Sequence, residues 1–298
     1  MNYIIFGGSG FIGTHLIKLL KNECLNKDDH IYDIDIVMPG EEGVVPGVVE
    51  KIECVEYIRI DVRKTIDFEF QPTEKDIIFN LAAVHRTPGH PDHAYFETNI
   101  LGAENVTNFA EKYGINKILF TSSIAPYGAA EELKTEDTLP TPNTPYGISK
   151  LVAEKIHQIW QAKDKNRELT IVRPGIVYGK GEHGNMTRLY KALRGHYFMY
   201  TGRKDTIKAC IYVKELVRFI KYRMLDNDFK GVDVFNCTYE PAFNIERICN
   251  TILKATDMHR HVPLLPAGLL MSIAKVVGPL GGKKVGIHPA RVKKLMIS

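Results

Sequence analysis

The sequence has little that could cross-link it or anchor it. Its five cysteines, Cys24, Cys54, Cys210, Cys237 and Cys249, are odd in number and form no C-x-x-C pair. That argues against a disulfide framework or a zinc ribbon, and it predicts a reducing, cytoplasmic setting. Long apolar runs are also scarce. The longest, Val262 to Leu280, is interrupted by Pro266, Lys275 and Pro279, so no integral membrane segment is expected. Met1 leads straight into an apolar strand, without the basic region and cleavage site of a signal peptide. Neither sign of charge dominates. A net +4 over 298 residues is too weakly basic to point to nucleic acid, yet it suits a small anionic substrate. Internal repeats and low-complexity runs are not seen.

What is present is a hydrophobic fraction of 44%, ample for a large core in one domain or two intertwined ones. Short apolar runs at Tyr3–Phe6, Ile31–Val37, Tyr57–Ile60, Ile77–Leu81, Ile118–Thr121 and Leu169–Val172 read as strands. Amphipathic stretches such as Phe11–Lys21 and Glu97–Tyr113 lie between several of them. Strands spaced by helices predict an α/β fold, a doubly wound parallel sheet covered on both faces. After Arg173-Pro174 the rhythm breaks. Residues 1–173, completed by about 211–237, are expected to form this Rossmann-type domain. Residues 174–210 and 238–298 are expected to form a smaller substrate-binding cap, with the substrate cleft between the two. Val213–Leu225 and Val232–Asn236 supply a further helix and strand of the core.

The first strand runs into Gly7-Gly8-Ser9-Gly10-Phe11-Ile12-Gly13, which opens the first helix. Glycine permits a tight turn, a close backbone approach to a pyrophosphate and close packing of helix on sheet. The helix N-terminus offers unpaired N–H groups to the anion. A glycine-rich turn alone is weak evidence, but its place between strand and helix is the context a dinucleotide site requires. The ribose reader should stand at the end of the second strand. Asp35 fits, with Asp33 as its competitor. A carboxylate repels a 2′-phosphate, and the next residue is Ile36 rather than arginine, so NAD is favoured over NADP. Asp61-Val62, after the third strand, occupies the place of an adenine contact. Ala82-Ala83, after the fourth, lets the backbone pass close under the cofactor.

Tyr146 and Lys150 are four apart and share a helix face. A nearby ammonium favours phenolate, which makes Tyr146 a candidate general acid/base. Tyr113/Lys117 and Tyr200/Lys204 match the same spacing. Only Tyr146 follows shortly after a strand ending in Thr121-Ser122-Ser123, where Ser123 can hold a substrate hydroxyl or carbonyl.

Taken together, the glycine run at Gly7, N-L-A-A at Asn80, T-S-S-I-A-P-Y-G at Thr121, P-Y-G-I-S-K at Pro145 and R-P-G-I-V-Y-G at Arg173 resemble the extended short-chain dehydrogenase/reductases. Within that group they resemble the NAD-dependent epimerase/dehydratase family, of which UDP-galactose 4-epimerase is the familiar member. The resemblance covers residues 1 to about 225. It implies catalytic roles for Ser123, Tyr146 and Lys150. It implies cofactor contacts by Gly7, Gly10, Phe11, Ile12, Gly13, Asp35, Asp61, Val62, Leu81, Ala82, Ala83, Asn99, Tyr146, Lys150 and Pro174. The dehydratase branch carries Asp-Glu directly after the catalytic hydroxyl residue, where this chain has Ile124-Ala125, so dehydration is not expected. The epimerase branch that uses a cysteine two residues after the serine has Ala125 against it. What remains is oxidation, reduction, or both in sequence.

The resemblance therefore implies a nucleotide-sugar 4-epimerase or 4-ketoreductase, with a nucleotide-diphosphate sugar as partner. The alternative is an alcohol or hydroxysteroid dehydrogenase, and after it a nucleotide-sensing protein without turnover. Gly184-Asn185-Met186 begins a helix that could meet a diphosphate, and Lys208 lies where the 4-epimerases carry an arginine. Ile176 replaces an asparagine that touches substrate in that branch. The stretch from Tyr197 to Val213 resembles enzymes of bacterial surface-polysaccharide pathways. His85, His90 and His93 cluster in a loop with Pro88, Gly89 and Pro91. No metal is expected there, and His85 or Arg86 is a candidate substrate contact. Trp160 reads as packing. The basic Arg291-Val292-Lys293-Lys294 segment is compatible with a peripheral membrane contact, although a helix pair of the cap is the simpler reading. A homodimer is compatible with the family.

Overall fold

The structure is a computed structural model that describes residues 1–41, 51–85, 90–227, 229–266 and 268. Arg86, the apolar stretch beyond residue 268 and the basic C-terminal segment lie outside the described residues. In chain order the first elements are β1 (Asn2–Phe6), α1 (Phe11–Glu23), β2 (His30–Asp35), β3 (Val55–Arg59), β4 (Ile77–Asn80), α2 (Asp92–Tyr113) and β5 (Lys117–Thr121). A short 3-10 turn (Ala125–Tyr127) precedes α3 (Pro145–Ala162), β6 (Glu168–Pro174) and β7 (Ile176–Tyr178). Then come α4 (Asn185–Arg194), β8 (Tyr200–Thr201), β9 (Ile207–Lys208), β10 (Cys210–Tyr212) and α5 (Val213–Leu225). The last are β11 (Gly231–Cys237), β12 (Phe243–Asn244), α6 (Ile245–Ala255) and β13 (Leu264–Leu265).

Seven strands form one sheet in the order β11-β6-β5-β4-β1-β2-β3, every neighbouring pair parallel. Alternation along each strand decides which side chains meet which helices. Ile4 and Phe6 of β1 join Ile34, Ile78 and Phe120 on the face covered by α2 and α3, through Val106, Phe109, Ala153 and Trp160. Tyr3 and Ile5 join Ile31, Phe79 and Val172 on the opposite face, covered by α1 and α5 through Leu16, Leu20, Leu216 and Ile220. Because both faces are buried, the strands read as continuous apolar runs. This is the doubly wound Rossmann arrangement. Its strand order reverses between β1 and β4, where ligands bind in such sheets.

The chain divides into two compact units. The first comprises 1–128, 134–182 and 211–237; the second comprises 129–133, 183–210 and 238–298. Within the second, α4 and α6 bring Leu193, Ile245, Cys249 and Leu253 together with Phe198 and Tyr200. There β12 pairs with β9, and β13 with β8. The second strand stops at Asp35 rather than Val37, and α2 begins at Asp92 rather than Glu97. Trp160 is fully buried against α2 and the sheet.

Candidate active site

The turn after β1 is built so closely that side chains would not fit. Gly7 has φ +80°, and a Cβ there would lie 2.7 Å from Ala82 N. The segments following β1 and β4 thus meet backbone to backbone at the point of strand reversal. A Cβ on Gly13 would lie 2.5 Å from Gly7 O, so α1 closes directly onto the turn. Gly10 is the N-cap of α1, no side chain caps that end, and its first turn carries no acid. A bare backbone cradle at the positive end of a helix fits a dinucleotide's pyrophosphate.

The two candidate ribose readers have different surroundings. Asp33 is fully buried under the turn, where Ser9 Oγ donates to its Oδ2 at 2.9 Å. Burial, reinforced by the charge of Asp35, pushes the Asp33 carboxyl up to about 7 against the hydrogen bond from Ser9. Asp35 ends β2 and is only partly buried; its Oδ1 accepts from Val37 N at 3.2 Å. Desolvation raises its pKa also. Of the two, Asp35 is the one at the end of the strand and the less buried.

Of the remaining expected cofactor residues, Phe11 and Ile12 form the first turn of α1, and Ile12 and Leu81 pack on the α1 side of the sheet. Ala82 packs on the other side and Ala83 is half-buried beside it. Asp61 is engaged by Arg63, whose Nη2 donates at 2.6 Å and holds the carboxyl below its usual range. The Val62 side chain lies in the core against Gly102. Asn99 is buried and braces the loop after β4. Its Oδ1 accepts from Val84 N at 2.9 Å and its Nδ2 donates to Ser149 Oγ at 2.9 Å. Pro174 ends β6, and its carbonyl accepts from Ile124 N. His85 is exposed. Among the described residues no group of three His, Cys, Asp or Glu could hold a metal ion.

On the other side of the reversal, α3 starts with a Thr144 N-cap, whose hydroxyl accepts from Gly147 N at 3.1 Å, and Pro145 in its first turn. A Cβ on Gly147 would lie 2.6 Å from Ala125 O. Glycine at that position lets the helix start hard against the segment after β5, and this brings Tyr146 into hydrogen-bond contact with Ser123. Lys150 is buried one turn on; its Nζ donates to Thr121 O at 2.6 Å and lies 4.5 Å from the centre of the Phe120 ring. The competing pairs are not on a shared helix face. Tyr113 ends α2 while Lys117 begins β5, and Tyr200 lies on β8 with Lys204 in the following loop.

Burial opposes the phenolate that the spacing favours. Burial pushes the Tyr146 hydroxyl up to about 12, against the hydrogen bond from Ser123, with Tyr95 reinforcing the shift. Burial also pulls Lys150 down to about 7, with Glu154 opposing. Spacing places the two groups on one face but does not include the cost of burying them.

Sequence reasoning missed the polar layer beneath Lys150. Glu154 is fully buried and pairs with Arg173: Nη2 donates to Oε2 at 2.6 Å and Nε to Oε1 at 2.9 Å. Ser122 Oγ donates to the same Oε1 at 2.5 Å. Arg173 Nη1 donates to Tyr127 Oη, which in turn donates to Asn236 Oδ1. His157 stacks on Phe120 and meets Asn80. The available signal was the continuation of the four-residue spacing from Tyr146 through Lys150 to Glu154.

In the second unit, Asn185 opens α4 and accepts from Arg188 Nη2 at 2.7 Å. Lys208 lies on β9, where burial pulls its ammonium down to about 8, with Glu131 opposing and Arg203 reinforcing.

The sequence profile of the NAD-dependent epimerase/dehydratase family matches residues 3–238. The chain belongs to this family. It is accordingly an NAD-dependent enzyme of the epimerase/dehydratase type. The N-acetyl-α-D-glucosaminyl-diphospho-ditrans,octacis-undecaprenol 4-epimerase of Escherichia coli O157:H7 is 30% identical, over 98% of this chain and 85% of the relative. The UDP-glucose 4-epimerase of Vibrio cholerae is 30% identical over 63% of this chain and 55% of its own length. Among solved structures, the UDP-glucuronic acid 4-epimerase of Bacillus cereus in complex with NAD superposes with a TM-score of 0.73 at 23% identity, covering 90% of this chain and 88% of that one. In this epimerase/dehydratase chain no helix among the described residues is long and apolar enough to cross a membrane.

Proposed function

We propose that this chain is a 4-epimerase acting on a sugar carried by a diphosphate. The supporting observation is the convergence of Ser123, Tyr146 and Lys150 at the end of β5, across the strand reversal from a backbone cradle fitted to NAD. NAD, when bound, supplies the hydride acceptor and returns the hydride. Tyr146, once its own hydroxyl proton has left to solvent, takes the proton of the sugar's C4 hydroxyl on Oη and gives it back to the 4-keto oxygen. Ser123 Oγ holds that same oxygen in register with Tyr146. Lys150, in its ammonium form, favours the deprotonated tyrosine while the proton is away. Asp35 takes the adenosine ribose, and Asn185 and Lys208 are assigned to the diphosphate.

A second reading concerns the carrier. The relative named for a diphospho-undecaprenol substrate matches 98% of the chain, the UDP-glucose 4-epimerase only 63%. Sequence identity of 30% that continues through the second unit supports a polyprenyl diphosphate as carrier. After Asp257 the sequence carries seven Lys and Arg and no Asp or Glu, a composition attracted to an anionic bilayer surface.

The test is to supply N-acetylglucosaminyl-diphospho-undecaprenol and UDP-N-acetylglucosamine separately, follow inversion at C4, and denature the protein to assay released NAD. Inversion with tightly held NAD supports the epimerase. An empty protein that oxidises NADH with a 4-ketosugar, and inverts neither substrate, overturns it in favour of a ketoreductase. For a homodimer, the exposed apolar residues Leu101 of α2 and Ile148, Val152 and Ile159 of α3 would supply contact, which sedimentation would reveal.

A further inference from the structure

Lys150 is one of three charges buried together in the first unit, and the other two have no part in the chemistry above. Glu154 follows it by one turn of α3, and Arg173 reaches Glu154 across from β6. Every strong contact of the carboxylate is accounted for. Its Oε1 receives Ser122 Oγ and Arg173 Nε, and its Oε2 receives Arg173 Nη2. The pair also bears on the proposed site's geometry. Ser122 lies between Thr121, whose carbonyl receives Lys150 Nζ, and Ser123, which bonds Tyr146. The Glu154 carboxylate thus ties the end of β5 to the helix that carries Tyr146 and Lys150.

We propose that Glu154 and Arg173 are a positioning pair: the buried carboxylate one turn from Lys150 favours its ammonium form, and the guanidinium bonded to that carboxylate moderates the pull. This rests on the epimerase reading above.

The electrostatic logic is specific. A buried ammonium alone loses its proton readily, because burial penalises the charged form. Glu154 opposes that loss. Were Glu154 unpaired, its full charge would act on Lys150 alone. Arg173, itself held charged by Glu154 and Tyr127, bonds that carboxylate through two nitrogens and so offsets part of its pull. Burial pulls Lys150 down to about 7 with Glu154 opposing, so the charge of its neighbours bears on its protonation. The other groups around Lys150 do not compete. On α3 they are Tyr146 and His157, and the histidine is pulled down to about 4 by burial and by Lys150 itself, so it is neutral at neutral pH. From β5 come the Phe120 ring and the Thr121 carbonyl. From the 3-10 turn comes Tyr127, hydrogen-bonded between Arg173 and Asn236.

The experiment reads the titration of Lys150 directly, by nitrogen NMR of lysine side chains in the whole protein, with the signal assigned by its loss in Lys150→Met. Glu154→Gln should lower the midpoint by about one pH unit or more, and Arg173→Gln should raise it by a similar amount. Opposite shifts are the signature, since a merely structural pair would lower stability in both variants and move the midpoint the same way or not at all. Removing one member of a buried ion pair is strongly destabilising. If either variant does not fold, Glu154→Asp, which keeps the charge but withdraws it by one methylene, takes its place and should lower the midpoint in part. An unmoved midpoint, or shifts of one sign, in the folded variants overturns the proposal. NAD binding by titration should be unchanged in the Glu154 and Arg173 variants. Because the midpoint is read without substrate, a failure of the 4-epimerase assay leaves this result standing, and the two proposals fail separately.

Discussion

Ser9 Oγ donates to Asp33 Oδ2 at 2.9 Å, tying the glycine-rich turn to the second strand by a side chain that never reaches solvent. Two residues further on, Asp35 leaves the same face of the strand at its open end. The first acid bonds the turn, and the second is the one proposed above to meet a ribose. Asp35→Ala should therefore narrow the preference for NAD over NADP, since the carboxylate that repels a 2′-phosphate is gone. Asp33→Asn should leave the preference intact. Titration of both variants with both dinucleotides checks this. Equal affinity of the unmodified protein for NAD and NADP would reject Asp35 as the reader.

Asp33 also predicts a pH dependence of stability. Its carboxyl is raised from 3.8 to about 7 in the folded chain, so the folded state binds the proton more tightly than the unfolded state. The stabilisation is complete below about 4 and is lost as pH rises towards 7. Asp33→Asn mimics the neutral acid and should flatten this loss. Its melting temperature should exceed that of the unmodified protein by roughly 5 °C or more at pH 8, and by much less at pH 5. Parallel melting curves for the two proteins at both pH values would count against a buried, protonated Asp33.

Gly13→Ala tests the cradle. The added methyl would stand 2.5 Å from Gly7 O, a backbone atom that cannot swing aside. A cost of about 1–3 kcal/mol is expected from overpacking alone. Affinity for NAD should fall as the turn is forced open, while Gly40→Ala, where φ is +83° but no atom lies within 4 Å of the added carbon, should strain only its own backbone and leave affinity unchanged. Equilibrium dialysis with NAD measures both.

Tyr146→Phe keeps the ring and removes the hydroxyl. Turnover should fall by about 10² or more, the range of general acid–base catalysis, with NAD binding and folding little changed. Tyr113→Phe should retain activity, because that tyrosine ends α2 and its hydroxyl bonds Asp67 and Phe68. The opposite result for the pair would mean that the wrong tyrosine had been chosen.

Local chemistry made much of this legible. The glycine turn, the apolar strands and the Thr144-Pro145 start of α3 are written in neighbouring residues, so the Rossmann sheet and the Tyr146–Lys150 face could be read directly. The start of α2 could not, because its first turn from Asp92 is polar and lacks the periodicity that marks the rest. Asp33 and Asp35 differ by what lies above them, which no spacing reveals. The Glu154–Arg173–Tyr127–Asn236 chain joins a helix, two strands and a turn. Its members become neighbours only when the sheet is assembled.

That assembly has an order imposed by synthesis. A nascent chain that has emerged as far as Pro174 already carries Tyr146, Lys150, Glu154 and Arg173, but β11 is still to come. Residues 183–210, which belong to the second unit, are made in between. Through that interval β6 presents an unpaired edge along which β11 will later lie, and Tyr127 lacks Asn236 as its acceptor. An open parallel edge is a template for strands of other chains. The position of a single strand thus leaves that edge open until residue 231 has been made.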